Sequence, residues 1–238
     1  MKEKTEKIKT ADGMMGVFTV TPEAAPRGAI IVLQEAFGVN AHMKEMCRRF
    51  AEEGYLAAAP ELFHRFGENF EVSYEDVEKI FPLLGKTTNA QMLEDISQTF
   101  NFLKKTSNPK NIFSVGYCMG GFASILAAVH LPLTGAISYY GGGMVSKREG
   151  IGFSPIVQDF DKIKCSTLFF YGGDDKSISP ADIKTVEQNL KDHNKKYTIK
   201  VYPGAGHAFS NGDRPSFDAA ATEDAWKITL SWLAEQEH

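Results

Sequence analysis

Residues 116–121 read GYCMGG and place one cysteine, Cys118, at the centre of a G-x-C-x-G turn. The residues at 112–115, IFSV, are typical of a short buried strand, and apolar residues recur at helical spacing from Phe122 to Val129. The chain is therefore predicted to pass from strand through tight turn to helix. Glycines permit a crowded turn of this kind, which lifts the central side chain above the sheet. This position is typical of a nucleophile.

An acid and a histidine follow at the ends of two later predicted strands. The apolar run at 167–171 opens into GGDDK, which contains Asp175, and the alternating run at 197–202 breaks at a Pro-Gly turn before His207. Either residue alone has an ordinary interpretation, as a turn aspartate or a surface histidine. Their order after Cys118 is the one that α/β hydrolases use. The sequence therefore predicts a catalytic triad of Cys118, Asp175 and His207.

The pattern of elements predicts the fold class. A length of 238 residues fits one α/β domain over 1–238. Strands are predicted at 14–20, 29–34, 55–59, 112–115, 135–140, 167–171 and 197–202, and helices after Asn40 and Cys118 and at 73–84, 89–105, 180–194 and 217–235. This alternation predicts an α/β-hydrolase fold, with a mainly parallel sheet of about eight strands and helices on both faces.

The chain resembles the dienelactone hydrolase family, also called carboxymethylenebutenolidases, over nearly its whole length. The most specific motifs are QEAFGVN at 34–40, APELF at 59–63, GYCMGG at 116–121 and GAGHAF at 204–209. The resemblance implies that a cysteine attacks a small lactone or activated ester and forms an acyl-thioenzyme. It further implies hydrolysis of an enol lactone to a ring-opened keto acid. The expected partner is therefore a small-molecule substrate.

Three further residues receive expected roles at this site. The backbone N–H of Met119, directly after the nucleophile, and by resemblance that of Ala36 are expected to form the oxyanion hole. Glu35 ends a predicted buried strand, where its carboxylate is expected to hydrogen-bond the neutral thiol and oppose thiolate formation. The resemblance implies that bound substrate displaces this glutamate. The alternative is that Glu35 caps local backbone groups.

The predicted carboxylate-binding residues depart from the family. Dienelactone hydrolases grip the carboxylate of the substrate with arginines, one of them shortly after the catalytic histidine. Here Asn211 stands four residues after His207, and no arginine lies between Arg65 and Arg148. Arg65 or Arg214 could replace these arginines from other positions, or each could be a surface residue.

Three functions stay open on this basis. The first is a dienelactone-hydrolase-like enzyme, and the second is a general short-chain carboxylesterase or thioesterase. The third is a redox-sensing or binding protein on a hydrolase scaffold, with Cys118 as the sensor thiol. The intact acid and histidine favour an enzyme.

The segment from Pro60 to Thr88 is predicted either to cap the substrate pocket or to be a plain surface excursion.

Composition bounds the remaining expectations. A formal charge of −4 without a basic cluster argues against nucleic acid as a partner. Met1–Lys7 alternates in charge, and the longest apolar runs are strand-sized, so neither a secretory signal nor a membrane span is expected. The three cysteines lack C-x-x-C spacing, which disfavours disulfides and structural zinc. We expect a cytoplasmic monomer or small homo-oligomer without metal or cofactor.

Overall fold

A computed structural model describes residues 1–237. The strands are β1 Lys2–Thr10, β2 Gly13–Thr21, β3 Gly28–Leu33, β4 Tyr55–Pro60, β5 Ile112–Tyr117, β6 Gly135–Tyr139, β7 Ser166–Gly172 and β8 Tyr197–Tyr202. The α-helices are α1 Ala41–Glu52, α2 Ile80–Lys86, α3 Asn89–Thr106, α4 Met119–His130, α5 Pro180–Asp192 and α6 Ala219–Glu235. Short 3₁₀ turns lie at His64–Phe66, Val77–Lys79 and Val157–Lys162.

One eight-stranded sheet forms the centre of the fold, in the order β1-β2-β4-β3-β5-β6-β7-β8. The β1–β2 and β2–β4 pairs are antiparallel, and all other pairs are parallel. Every residue of β3, β5 and β6 is buried, as expected for parallel strands covered on both faces. The predicted mainly parallel α/β-hydrolase sheet is confirmed.

Neighbouring residues of β5 show that helices cover both faces. Phe113 of β5 pairs with Gly135 of β6. A Cβ on Gly135 would meet both the ring of Phe113 and Trp232 of α6, so this face of the sheet is covered by α6. The next residue, Ser114, instead exchanges hydrogen bonds with Ser124 of α4, with the two hydroxyl oxygens 2.7 Å apart. Because successive strand residues point to opposite faces, α4 and α6 lie on opposite sides of the sheet.

The helix predicted after Asn40 is confirmed as α1. The Asn40 side chain accepts a hydrogen bond from the backbone N–H of Met43, so it caps the N-terminus of the helix. The apolar stripe of α1 faces the core, where Cys47 and Phe50 have no exposed surface. Cys47 is therefore a packing residue.

One prediction of secondary structure is wrong, and one strand was not predicted. A single helix at 73–84 does not form, because Pro82 has no N–H to bond the carbonyl four residues earlier. The helix instead begins at Ile80, which places Pro82 in its first turn. The strand β1 was not predicted, since its sequence KEKTEKIKT lacks apolar alternation. It lies at the sheet edge, where charged side chains are tolerated and discourage pairing with other chains.

The strand order creates a crevice at the carboxyl ends of β3 and β5. From β3 the chain moves to β4 on one side, whereas β5 lies on the other side. Ligands of open α/β sheets bind where the order reverses in this way. Glu35 follows β3 and Cys118 follows β5, so both lie at this crevice.

Candidate active site

Cys118 occupies a strained turn between β5 and α4. Its backbone has φ 55° and ψ −115°, a conformation that costs on the order of 1–3 kcal/mol in a non-glycine residue. The flanking glycines are sterically required. A Cβ on Gly116 would lie 1.8 Å from the carbonyl oxygen of Gly120, and one on Gly120 would lie 2.1 Å from that of Leu33. The G-x-C-x-G pattern therefore reflects the close packing of this turn.

His207 and Asp175 meet at the ends of β8 and β7. Nδ1 of His207 lies 2.6 Å from Oδ2 of Asp175, whose side chain is fully buried. Since a carboxylate only accepts hydrogen bonds, Nδ1 carries the proton, and Nε2 is left as the basic atom. Cys118 and His207 line the same cavity. The structure therefore brings the acid and the histidine into contact and places the cysteine turn at the cavity that they share.

Ser177 completes the environment of the acid. Its backbone N–H and its hydroxyl each donate a 2.7 Å hydrogen bond to Oδ1 of Asp175. The same hydroxyl lies 3.1 Å from Nδ1 of His207. Both carboxylate oxygens of Asp175 are thus occupied, which fixes the orientation of the carboxylate toward the imidazole.

The electrostatics of this group stabilise the imidazolium that forms when Cys118 is deprotonated, because only a charged sulfur attracts it. Burial lowers the pKa of His207, but the neighbouring Cys118 and the hydrogen bond with Asp175 outweigh burial, so the net shift is upward. Burial raises the pKa of Asp175, but its hydrogen bonds with His207 and Ser177 lower the pKa by more than burial raises it. The net shift of the Asp175 pKa is therefore downward. Asp175 is therefore ionised at neutral pH.

Two backbone N–H groups face no protein acceptor at the predicted oxyanion position. Met119 is the first residue of α4, and Ala36 follows β3; both residues are almost fully buried. Within residues 1–237, neither N–H donates a hydrogen bond to a protein group. Buried N–H groups are nearly always paired, so these two are available to a ligand atom.

Glu35 is buried, with 2% of its surface exposed. Its Oε2 accepts hydrogen bonds from the Asn211 amide at 2.8 Å and the Tyr74 hydroxyl at 3.2 Å, and its Oε1 from the Tyr140 hydroxyl at 3.4 Å. The expected hydrogen bond between Glu35 and the Cys118 thiol is therefore not formed in the structure. The carboxylate accepts hydrogen bonds from other donors instead. Glu35 and Cys118 nevertheless line the same cavity.

The two tyrosines beside Glu35 stay protonated at neutral pH. Burial, reinforced by the charge of Glu35, raises the pKa of Tyr74 to about 12 and that of Tyr140 well above its usual value. Tyr74 also accepts 2.8 Å hydrogen bonds from the amides of Asn40 and Asn211. Neutral groups thus satisfy Glu35, in agreement with the rule that buried carboxylates require partners.

A cavity of about 690 Å³ opens over Cys118 and His207. Arg214 and Arg148 line it, and the Arg214 guanidinium lies over the rings of Phe37 and Tyr74. Arg148 donates a hydrogen bond to the carbonyl oxygen of Ser177. Arg214 is therefore not a plain surface residue.

Arg65 does not reach this cavity. Its guanidinium donates two hydrogen bonds to the buried Asp95, at 2.6 and 2.9 Å, and a third to Asp12. With 12% of its side chain exposed, Arg65 is neither a substrate contact nor an ordinary surface residue. It ties the 3₁₀ turn at His64–Phe66 to α3.

Three residues beside the acid and Glu35, namely Ser177, Tyr74 and Tyr140, were not predicted from the sequence. Ser177 had a local signature, since a serine two residues after an aspartate commonly donates to its carboxylate in an Asx-type turn. Tyr74 and Tyr140 had none, because each reaches Glu35 from a distant segment of the chain. Asn211 was noticed only as the residue that replaces an arginine.

Within residues 1–237, no group of three or more His, Cys, Asp or Glu side chains is arranged to hold a metal ion. Within the same range, none of the helices has both the length and the apolar character needed to cross a membrane.

Comparison with known proteins identifies relatives over most of the chain. The model of the dienelactone hydrolase family matches residues 15–237. A proposed carboxymethylenebutenolidase of Escherichia coli (strain K12) is 36% identical over 213 residues, which cover 88% of this chain and 78% of the relative. A relative of the same proposed activity from Synechocystis is 35% identical over 202 residues, which cover 83% of this chain and 82% of that protein.

Solved structures with the same fold include a proposed dienelactone hydrolase from Klebsiella pneumoniae. It superimposes with a TM-score of 0.89 at 32% identity and covers 98% of both chains. A dienelactone hydrolase-like promiscuous phosphotriesterase from metagenomic libraries superimposes with a TM-score of 0.80 at 22% identity, again over 98% of both chains. At this lower identity the second likeness concerns the fold alone.

Proposed function

Because the chain belongs to the dienelactone hydrolase family and is therefore a hydrolase of esters or lactones, we propose that it acts through Cys118, His207 and Asp175. The proposed substrates are small lactones or activated esters. The observation that carries the proposal is the 2.6 Å contact of His207 with Asp175, with His207 beside a cysteine held in a strained turn.

The reaction would begin with proton transfer from the Cys118 thiol to Nε2 of His207. The sulfur then forms a bond to the substrate carbonyl carbon, and the carbonyl electron pair moves to oxygen. Asp175 stabilises the resulting imidazolium. The N–H groups of Met119 and Ala36 have no hydrogen-bond acceptor among residues 1–237 and would bind the oxyanion.

Collapse of the tetrahedral intermediate would break the bond to the ester or ring oxygen, which takes its proton from His207. The product of this step is an acyl-thioenzyme. Water then attacks the thioester carbonyl while His207 accepts a proton from it, and expulsion of the sulfur returns the thiol and releases the acid. A thiolate is easily expelled, so good leaving groups such as enolates suit this nucleophile better than amines.

Glu35 is proposed to tune the thiol. Its negative charge lies in the same cavity as Cys118 and opposes the formation of a second negative charge there. Neutral donors hold this carboxylate in the substrate-free state. The family resemblance suggests that substrate shifts the carboxylate and thereby permits thiolate formation.

The test combines kinetics with mass spectrometry of the intact protein. Cys118→Ala should lower kcat/KM for p-nitrophenyl acetate by roughly a thousand-fold or more, and acid-quenched wild type should carry one acetyl group on Cys118. The matched control is Cys165→Ala, since Cys165 is also partly exposed and lies outside the cavity. Retained hydrolysis in Cys118→Ala, with or without acetylation elsewhere, would refute the proposal and restore the sensor interpretation.

A general carboxylesterase is the second candidate. Asn211 donates to Glu35, and Arg65 is held by Asp95. A substrate carboxylate would therefore depend on Arg214 and Arg148, which line the cavity but already contact aromatic rings and the Ser177 carbonyl. A comparison of kcat/KM for a carboxylated enol lactone and for neutral p-nitrophenyl acetate separates the two candidates. Turnover of the neutral ester alone would favour the carboxylesterase.

A further inference from the structure

Two segments, 77–84 and 151–153, contribute apolar side chains to the cavity that also contains the proposed nucleophile, and we refer to these side chains as the apolar wall. They are Val77, Ile80, Phe81, Leu84, Ile151 and Phe153. The same cavity reaches Cys118 and His207, so a molecule bound at the thiol can contact the wall.

Backbone contacts hold the two segments of the apolar wall together. The N–H of Gly152 donates a 2.8 Å hydrogen bond to the carbonyl of Leu84. A Cβ on Gly152 would lie 2.6 Å from the carbonyl oxygen of Gly85, so the two chains pass at a distance that only glycine permits. The Lys147 ammonium donates to the carbonyls of Ile151 at 2.7 Å and Phe153 at 2.9 Å. The wall is thus built before any ligand binds.

Part of this wall exposes large apolar side chains to solvent. Phe81 is 57% exposed and Val77 is 37% exposed, whereas Ile80 and Leu84 behind them are buried. Exposed apolar surface that lines a cavity is typical of ligand-binding sites. Phe81 and Val77 therefore mark the place where an apolar group of a ligand would be removed from water.

The size of the cavity supports the same conclusion. Its volume of about 690 Å³ lies within the range of about 300–1,000 Å³ that is typical of sites for drug-sized ligands. A five-membered lactone with its carboxymethylene group occupies a small part of this space. Most of the apolar wall would stay uncovered by such a substrate.

We propose that the preferred substrates are esters or lactones with a medium-length alkyl or aromatic group, which binds the apolar wall while the carbonyl lies at Cys118. This inference rests on the proposed function. It adds the substrate class, since the catalytic residues alone require only an activated carbonyl.

The test measures kcat/KM for p-nitrophenyl acetate, butyrate and hexanoate, and for ethyl, butyl and hexyl acetates. Burial of each added methylene should raise kcat/KM about three- to four-fold. The rise from two to six carbons should therefore be on the order of 100-fold in at least one series. Phe81→Ala should lower the ratio of the six-carbon to the two-carbon value about five- to ten-fold.

Phe217→Ala is the matched control, since Phe217 is 45% exposed and lies outside the cavity. Its ratio of kcat/KM for the six-carbon substrate to that for the two-carbon substrate should equal the ratio of the wild type. Flat or falling values in both series, or equal ratios for the two phenylalanine variants, would overturn the inference. If Cys118→Ala abolishes acetate hydrolysis at the same time, the proposed function still stands. If Cys118→Ala stays active, the proposed function itself fails.

Discussion

Replacement of Ser177 by alanine tests how strongly the proposed reaction depends on the placement of Asp175. The variant removes the 2.7 Å hydrogen bond from the hydroxyl to Oδ1 but keeps the bond from the backbone N–H and the 2.6 Å contact with His207. The Asp175 side chain is fully buried. A carboxylate that loses one of three partners in such a place is both less stable and less firmly oriented.

The size of the effect follows from the strength of one hydrogen bond to a charged group. Such a bond contributes about 1.5–3 kcal/mol, which corresponds to a loss of kcat/KM between about 10- and 100-fold when the bond is fully used in the transition state. The loss should appear in kcat rather than KM, because Ser177 acts on the imidazole, both through Asp175 and by its own 3.1 Å contact with Nδ1. Hydrolysis of p-nitrophenyl acetate is a suitable assay. Ser177→Thr retains the hydroxyl and serves as the control.

The same variant has a predicted dependence on pH. The pKa of Asp175 is lower in the folded protein than in the unfolded chain, so its contribution to stability is complete above the unfolded pKa of about 3.9 and is lost as the pH falls through the folded pKa. Loss of the Ser177 hydroxyl raises the folded pKa toward the unfolded value. The difference in Tm between wild type and Ser177→Ala should therefore be largest near pH 7 and shrink below about pH 4.

Two results would refute this reasoning. The first is a Ser177→Ala enzyme with wild-type kcat but a lower Tm, since the hydroxyl would then serve stability alone. The second is an equal loss of kcat in Ser177→Thr, since the damage would then not come from the missing hydroxyl. A constant difference in Tm from pH 7 to pH 3 would contradict the electrostatic part of the explanation.

Three further predictions concern the surroundings of the thiol. Glu35→Gln should be alkylated by iodoacetamide several-fold faster than wild type at pH 7, because a charge that opposes the Cys118 thiolate is removed; an unchanged rate would exclude this tuning role. Gly120→Ala should lose about 3 kcal/mol or more in urea unfolding, because its Cβ would lie 2.1 Å from the Leu33 carbonyl oxygen; a wild-type midpoint would show that the turn can relax. Tyr74→Phe should lose about 1–3 kcal/mol in the same measurement, because the buried Glu35 loses a donor, and an unchanged midpoint would show that this donor is dispensable.

The central part of the site could be predicted because its signals are local. The turn at Cys118 needs glycines on both sides for steric reasons, so its sequence is recognisable without the fold. Asp175 and His207 each follow a strand that ends in a glycine-containing turn. Parallel strands place their carboxyl ends at one edge of the sheet, so the approximate meeting of these residues follows from strand assignment alone.

The rest of the site depends on contacts between distant segments, which no local pattern encodes. Tyr74 belongs to the segment at 60–88, whose status as cap or surface excursion was left open by the sequence. Its hydroxyl lies against Glu35, and Phe81 from the same segment lines the cavity. These contacts favour the cap interpretation, and they arise only once the sheet is assembled.

The side chains that donate hydrogen bonds to Glu35 are all neutral. The amide nitrogen of Asn211 lies 2.8 Å from Oε2 of Glu35 and 2.8 Å from the Tyr74 hydroxyl. An arginine in contact with Glu35 would cancel much of its negative charge, whereas an amide satisfies its hydrogen bonds and leaves the charge in place. Glu35 can then oppose a negative charge on Cys118 more strongly than a glutamate paired with arginine would. The neutral amide of Asn211 is therefore consistent with the proposed restraint on the thiol, while Arg214 and Arg148 supply positive charge elsewhere in the cavity.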